Sequence, residues 1–376
     1  MGVEVLQFEF AFMSSGLAYQ LTPELQEGQA FPARARQFPQ LRYMGSKFRL
    51  LPWIHDVLSG LQFSSALDAF SGSGCVAFLL KCMGKRVIAN DFLKFSQQLA
   101  LATVENQRYR LTEEDCQRLL RYNPKRKRFI EKTFDGVFFT PQDLRFLDNV
   151  WANLPLLATD YHRALGISAL VRACVKRQPR GVFTVTGDPS RYDDGRRDLR
   201  LSLEEHFLES VQIFNSVVFD NGKANRALSS DVFEAKPGSV DLVYMDPPYV
   251  PRADDNCYIK RYHFLEGLAS YWLGEGTEIL HDTASKKIAK RFTPFSYRRT
   301  CIDAFNSLFQ QFRHSTLVLS YSSNGYPDLN VLLRLMKRYK KRTQVFEREH
   351  RYHFGTHEHV ARDRSTVREY LIVGLD

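Results

Sequence analysis

The sequence of 376 residues predicts an α/β fold with a parallel sheet, interrupted by a long helical insert. Three observations carry that prediction. Residues 65–91 read as strand, glycine turn, helix and strand, which is a βαβ unit. Short, apolar, β-rich runs return far downstream at 240–245, 316–321 and 369–373, as parallel strands buried on both faces should. Between the two sets, residues 111–225 show helical spacing instead.

The elements follow in order. Residues 1–40 are a mixed leader with Pro32 and Pro39 near its end, expected to be an extension with little core of its own. Ser65-Ala66-Leu67-Asp68-Ala69-Phe70 is an apolar run that ends in a glycine-rich turn. Residues 75–83 read as a buried helix, and Arg86-Val87-Ile88-Ala89-Asn90-Asp91 as a second strand ending in an acid. In the insert, 161–176 reads as a helix and 187–200 as an irregular polar piece. Ser202-Leu203-Glu204-Glu205 fits a capping box. Leu203, Phe207, Val211, Phe214 and Val218 then recur at helical spacing. The expected organisation is an extension at 1–40, a core domain built from 41–110 plus 226–376, and an inserted region at 111–225.

Composition narrows the function classes. Lys plus Arg exceed Asp plus Glu by 52 to 42, a net charge of +10, which favours a polyanionic partner such as nucleic acid. No window approaches the ~20 apolar residues of a membrane span, and the first 20 residues do not read as a signal peptide. Six cysteines without a CxxC pair point to reduced thiols, and so to a cytoplasmic protein, rather than to a disulfide framework or zinc ribbon.

Three motifs carry chemistry. In Asp68-Ala69-Phe70-Ser71-Gly72-Ser73-Gly74, a glycine turn after a strand lets backbone approach a ligand and aims a helix N-terminus at it. The turn lacks the third glycine of a dinucleotide fingerprint. Asp91, ending the next strand, can accept hydrogen bonds from both hydroxyls of a ribose, or can cap the following helix. Asp246-Pro247-Pro248-Tyr249 follows a third strand at the edge where open α/β sheets bind ligands. There the Asp246 carboxylate and the Pro247 carbonyl can both accept from one exocyclic NH2, and the Tyr249 ring can stack on the base that carries it. An aromatic amine is a poor nucleophile. Two acceptors in fixed geometry favour a pyramidal nitrogen whose lone pair points at an electrophile, which is stabilisation by preorganised dipoles.

The order Tyr43-Met44-Gly45-Ser46-Lys47, the glycine turn, Asp91, a long insert and Asp246-Pro247-Pro248-Tyr249 resembles the Dam-type adenine-specific DNA methyltransferases, the alpha group. The resemblance covers about 41–110 and 226–325. It implies a Rossmann-like fold, S-adenosyl-L-methionine as cofactor, and methyl transfer to the N6 amine of adenine in double-stranded DNA. It implies that Tyr43, Lys47, Asp68, Phe70, Gly72, Gly74, Asp91, Asp231 and Asp246 bind the cofactor, with Asp231 preceding a strand-like run. It implies that Asp246, Pro247, Pro248 and Tyr249 are catalytic, and that the insert recognises the target. A cognate restriction nuclease or other defence-system subunits are the expected partners, with no membrane. The rival readings are an RNA base methyltransferase and a non-catalytic nucleic-acid-binding protein on the same fold.

Two basic clusters are candidates for phosphate or base contact: Lys125, Arg126, Lys127 and Arg128, and then Arg191, Arg196, Arg197 and Arg200 in the polar piece. His350, His353, His357 and His359 match no standard zinc spacing, and no metal is expected.

Overall fold

A computed structural model describes residues 30–179, 181–184, 186–187, 192–236, 238–250, 258–351 and 366–376. Its seven strands are β1 (Ser65–Asp68), β2 (Arg86–Asp91), β3 (Arg226–Ser229), β4 (Leu242–Met245), β5 (Thr316–Ser322), β6 (Arg342–Arg351) and β7 (Thr366–Leu375). They form one sheet in the order β3-β2-β1-β4-β5-β7-β6. Strands β1 to β5 are parallel, and β7 runs antiparallel between β5 and β6. The chain leaves β1 towards β2 on one side and returns to β4 on the other. The strand order therefore reverses between β1 and β4, and a crevice opens there at the carboxyl ends of the strands.

Alternation along the strands decides which helices cover which face. Ala66 of β1 and Leu242 of β4 pack with α1 (Leu51–Ser59) and α2 (Cys75–Cys82) through Val57, Phe78 and Leu80. Leu67 and Val243, one residue on, pack with α11 (Cys301–Gln311) and α12 (Leu329–Met336) through Phe305, Leu308 and Leu332. Helix α3 (Lys94–Ala100) follows β2.

The insert is helical, with α4 (Glu113–Leu120), α5 (Phe129–Thr133), α6 (Pro141–Asn153), α7 (Asp160–Arg177), α8 (Arg197–Arg200) and α9 (Leu203–Val217). The Ser202 hydroxyl accepts from the Glu205 amide, and the Glu205 carboxylate accepts from the Ser202 amide at 2.8 Å, so the capping box opens α9. All five apolar positions read from its spacing are buried. The insert is not a separate globule. Leu165, Leu170, Phe207 and Phe214 share one core with Leu99 of α3 and with Phe264 of α10 (Tyr258–Ser270).

Three features differ from the sequence reading. The end of the leader is part of the core: a turn over Ala33–Gln37 lays Ala35 and Phe38 onto α2, with the Phe38 ring 5.3 Å from Phe78. The four-residue edge strand β3 has no buried position and so no apolar run to announce it. The run at 369–373 is not a parallel strand: it belongs to β7, which pairs antiparallel with β5 and β6, and it reads as parallel because its residues are buried throughout.

Candidate active site

The glycine turn joins β1 to α2 at the reversal of strand order. Gly72 and Gly74 have φ of 51° and 85°, and a Cβ on Gly72 would sit 3.0 Å from the Tyr43 ring, so conformation and space both require glycine at position 72. The Gly72 amide donates to Asp91 Oδ2 at 2.8 Å and the Leu93 amide donates to Oδ1 at 2.9 Å. These bonds fix the carboxylate at the end of β2. Burial nevertheless pushes Asp91 up to about 6, the two amides only partly offsetting it.

Asp68, at the end of β1, is buried to 1% exposure, and the Ala77 and Phe70 amides offset that burial only in part. Burial, and then the negative charges of Asp246 and Asp91, push it up to about 8. Asp246 lies just past β4, where Asp68 pairs in register with Tyr244. Its Oδ1 is 2.9 Å from Nζ of Lys47, a buried lysine on the turn Lys47–Leu50. Burial raises Asp246, and the Lys47 ammonium pulls it back down.

Tyr43 stacks on Tyr262 (5.1 Å between ring centres) and on Tyr258 (5.7 Å), and those two rings lie 6.4 Å from each other. The Met44 amide donates to the Tyr262 hydroxyl at 2.7 Å, and the Tyr258 hydroxyl donates to the Met44 carbonyl at 3.3 Å. This segment is thereby clamped onto α10, with Lys47 beside Asp246. The resulting cleft has a volume of about 590 Å³ and opens to solvent. A second cleft of about 390 Å³ shares Phe70, Phe92 and Pro248 with it and is closed by Asp231, Val232, Phe233 and Phe295.

Tyr43, Lys47, Asp68, Phe70, Gly72, Asp91, Asp246 and Pro248 all line the first cleft. Gly74 caps the start of α2. Pro247 is buried, and Tyr249 lies edge-on to Tyr321 at 5.5 Å. Asp231 lines the second cleft, but it does not precede a strand. It follows β3, and its carboxylate accepts from the Phe233 amide of a tight turn. The apolar Val232-Phe233 pair imitates a strand start because both residues line the second cleft, Val232 from within the core.

The basic candidates separate. Lys125 and Lys127 are exposed in the α4–α5 loop and have no carboxylate partner among the described residues. Arg126 lies over the Tyr122 ring, and Arg128 pairs with Glu131 at 2.8 Å. Arg196 is held by Asp194 and the Pro179 carbonyl, Arg197 by Glu209, and Arg200 lies 3.5 Å from Asp193. These acids offset the positive charge predicted for the polar piece. Arg191 lies outside the described residues, as do His353, His357 and His359, while His350 sits on β6.

Sequence reading missed Phe92 and Phe295 as lining residues and the clamp made by Tyr258. The i, i+4 spacing of Tyr258 and Tyr262 was the available signal for the clamp. Phe295 comes from an irregular segment with no periodicity.

No helix among the described residues is long and apolar enough to cross a membrane. Residues 43–318 match the model of the D12 class N6 adenine-specific DNA methyltransferases. The chain is 30% identical over 330 residues to the type II methyltransferase M2.HphI of Haemophilus parahaemolyticus, covering 84% of this chain and 93% of that protein. It is 23% identical over 316 residues to the modification methylase LlaI of Lactococcus lactis subsp. lactis, and 24% over 325 residues to the modification methylase StsI of Streptococcus sanguinis. Those two matches cover 80% of this chain and about half of each relative, 49% and 46%. The chain belongs to the D12 class N6 adenine-specific DNA methyltransferase family.

Proposed function

We propose that this protein transfers a methyl group from S-adenosyl-L-methionine to N6 of adenine in double-stranded DNA, in the manner of the Dam-type alpha group, as the modification partner of a restriction nuclease. The observation that carries the reading is the grouping of Asp246, Asp68, Asp91 and Lys47 around one cleft at the reversal of strand order. The insert between Asp91 and Asp246 supports the alpha-group assignment, and the names of the relatives support the nuclease.

The residues fit the cofactor. A buried carboxylate is costly to ionise unless a cation meets it, and Asp68 is such a group. It would face the cofactor's cationic methionine end. Asp91, oriented by its two amide bonds, keeps lone pairs for ribose hydroxyls. The second cleft, with Phe70, Phe295 and Asp231, suits a flat base with an exocyclic amine. The cofactor supplies an electrophilic methyl group on a sulfonium.

The remaining work falls to the chain. The target adenine must leave the stack, because its amine is out of reach inside a duplex. Tyr249 stacks on the extruded base. The Asp246 carboxylate and the Pro247 carbonyl accept the two amine hydrogens and turn the nitrogen lone pair towards the methyl group. The Lys47 ammonium works against the rise that burial imposes on Asp246 and so favours its acceptor form. The methylated nitrogen is acidic and sheds its extra proton through Asp246 to solvent. The insert, with Lys125 and Lys127 exposed, would hold the duplex.

The test is incubation with methyl-labelled cofactor and either unmethylated duplex DNA or structured RNA, followed by nucleoside analysis. Label in N6-methyladenine of DNA is expected. Label in RNA alone, or in cytosine, would overturn the reading.

A further inference from the structure

The segment between α10 and α11 carries a surface that the catalytic reading does not use. Residues 286–299 hold six lysines and arginines and no aspartate or glutamate. Two aromatic rings stand out in it: Phe292 is 66% exposed and Tyr297 is 43% exposed. They stack on each other, with ring centres 5.4 Å apart and planes 15° from parallel. Apolar rings held in water without a core to enter point to a ligand.

Their support is rigid. Phe295, between them, is buried against Phe70 and Phe305, and the Thr300 hydroxyl donates to the Pro294 carbonyl at 2.7 Å. The surface also adjoins the catalytic strand. Phe292 lines the second cleft with Pro248. Arg298 lies 4.6 Å over the Tyr326 ring, and Tyr326 bridges to Val250, the residue after Tyr249. Arg298 and Arg299 are exposed and meet no carboxylate among the described residues. Phe295 belongs to the core cluster of α11 and α12, whereas the insert packs in the other cluster with α3 and α10.

We propose that Phe292, Tyr297, Arg298 and Arg299 form a second DNA-binding surface, separate from the insert. There the aromatic pair stacks on a nucleobase unstacked beside the extruded adenine, and the two arginines neutralise phosphates of the same strand. The proposal rests on the reading of this chain as a DNA methyltransferase. Stacked rings with flanking cations are the sequence-tolerant way to hold unstacked bases. The charge balance of this segment matches a polyanion and offers nothing to an acidic-patch-free apolar partner.

The full chain is tested with a fluorescently labelled unmethylated duplex. Arg298→Ala/Arg299→Ala should weaken binding and reduce the slope of log affinity against log salt by about 2, one phosphate per arginine. Phe292→Ala and Tyr297→Ala should each weaken DNA binding by about tenfold and raise KM for DNA accordingly, and Tyr297→Ala, whose ring does not line the second cleft, should leave cofactor affinity unchanged. Tyr297→Phe should retain wild-type binding. All four sites are exposed, so unchanged melting temperatures are expected. DNA affinity within twofold of wild type in every alanine variant, while the wild type methylates DNA, would overturn this surface alone. Weaker cofactor binding with DNA binding intact would also overturn it, and would place Phe292 in the cofactor cleft. If the wild type neither binds nor methylates DNA, the functional reading itself fails.

Discussion

Asp68 gives the sharpest quantitative handle on the proposed cofactor site. Its carboxyl stands at about 8 in the free protein, against 3.8 in an open chain. That gap corresponds to on the order of 6 kcal/mol for holding the charge where it is buried. The sign is that of a raised acid: the folded protein keeps the proton, so stability falls as pH rises from 3.8 towards 8. Asp68→Asn should therefore leave the free protein as stable as wild type below pH ~4 and make it progressively more stable as pH rises to ~8. Cofactor binding should show the opposite dependence. A cationic ligand favours ionised Asp68, so below pH 8 its binding must expel a proton. For a pKa of about 8, affinity for S-adenosyl-L-methionine should rise about twentyfold between pH ~6 and ~7.5. Calorimetry at pH ~7 in buffers of different ionisation enthalpy should find close to one proton released. Asp68→Asn should bind more weakly and release almost none. An affinity that is flat over this range, with no proton released by the wild type, would refute the pairing of Asp68 with the cofactor's positive charge.

Three other outcomes are expected. Asp246→Ala should lower kcat by at least about 100-fold, measured by label transfer to DNA, because an acceptor for the reacting amine is lost while most of the cofactor cleft remains. Lys47→Met removes the cation 2.9 Å from Asp246, so the Asp246 carboxyl should rise further and the acid limb of the kcat/KM profile should move to higher pH. Gly267→Ala would drive a Cβ into the Trp272 ring, and this overpacking should lower stability by about 1–3 kcal/mol in urea titration.

What was legible in the sequence follows from how locally each feature is encoded. The strands at the reversal point are buried on both faces, so β1, β2 and β4 appear as unbroken apolar runs beside glycine and acid. Helix α9 announced itself because its cap and its buried stripe are both short-range patterns. The edge strands did not, since β3 has no buried position and β6 carries charges along its length. Most cleft residues were legible because glycine and carboxylate at strand ends have a specific chemical use. The Lys47–Asp246 pair was only half visible, because the two residues lie 199 positions apart and only folding reveals which charge Lys47 faces. The same limit hid Phe295, whose place beside Phe70 depends on the path of an irregular segment. It also hid the acids that neutralise Arg196 and Arg197.

The most direct measurement is long-read mapping of modified bases after unmodified genomic DNA is treated with the purified protein and S-adenosyl-L-methionine. N6-methyladenine should be concentrated in one short sequence, and none should form with Asp246→Ala. Bound cofactor with no methylated adenine in any sequence context would contradict it.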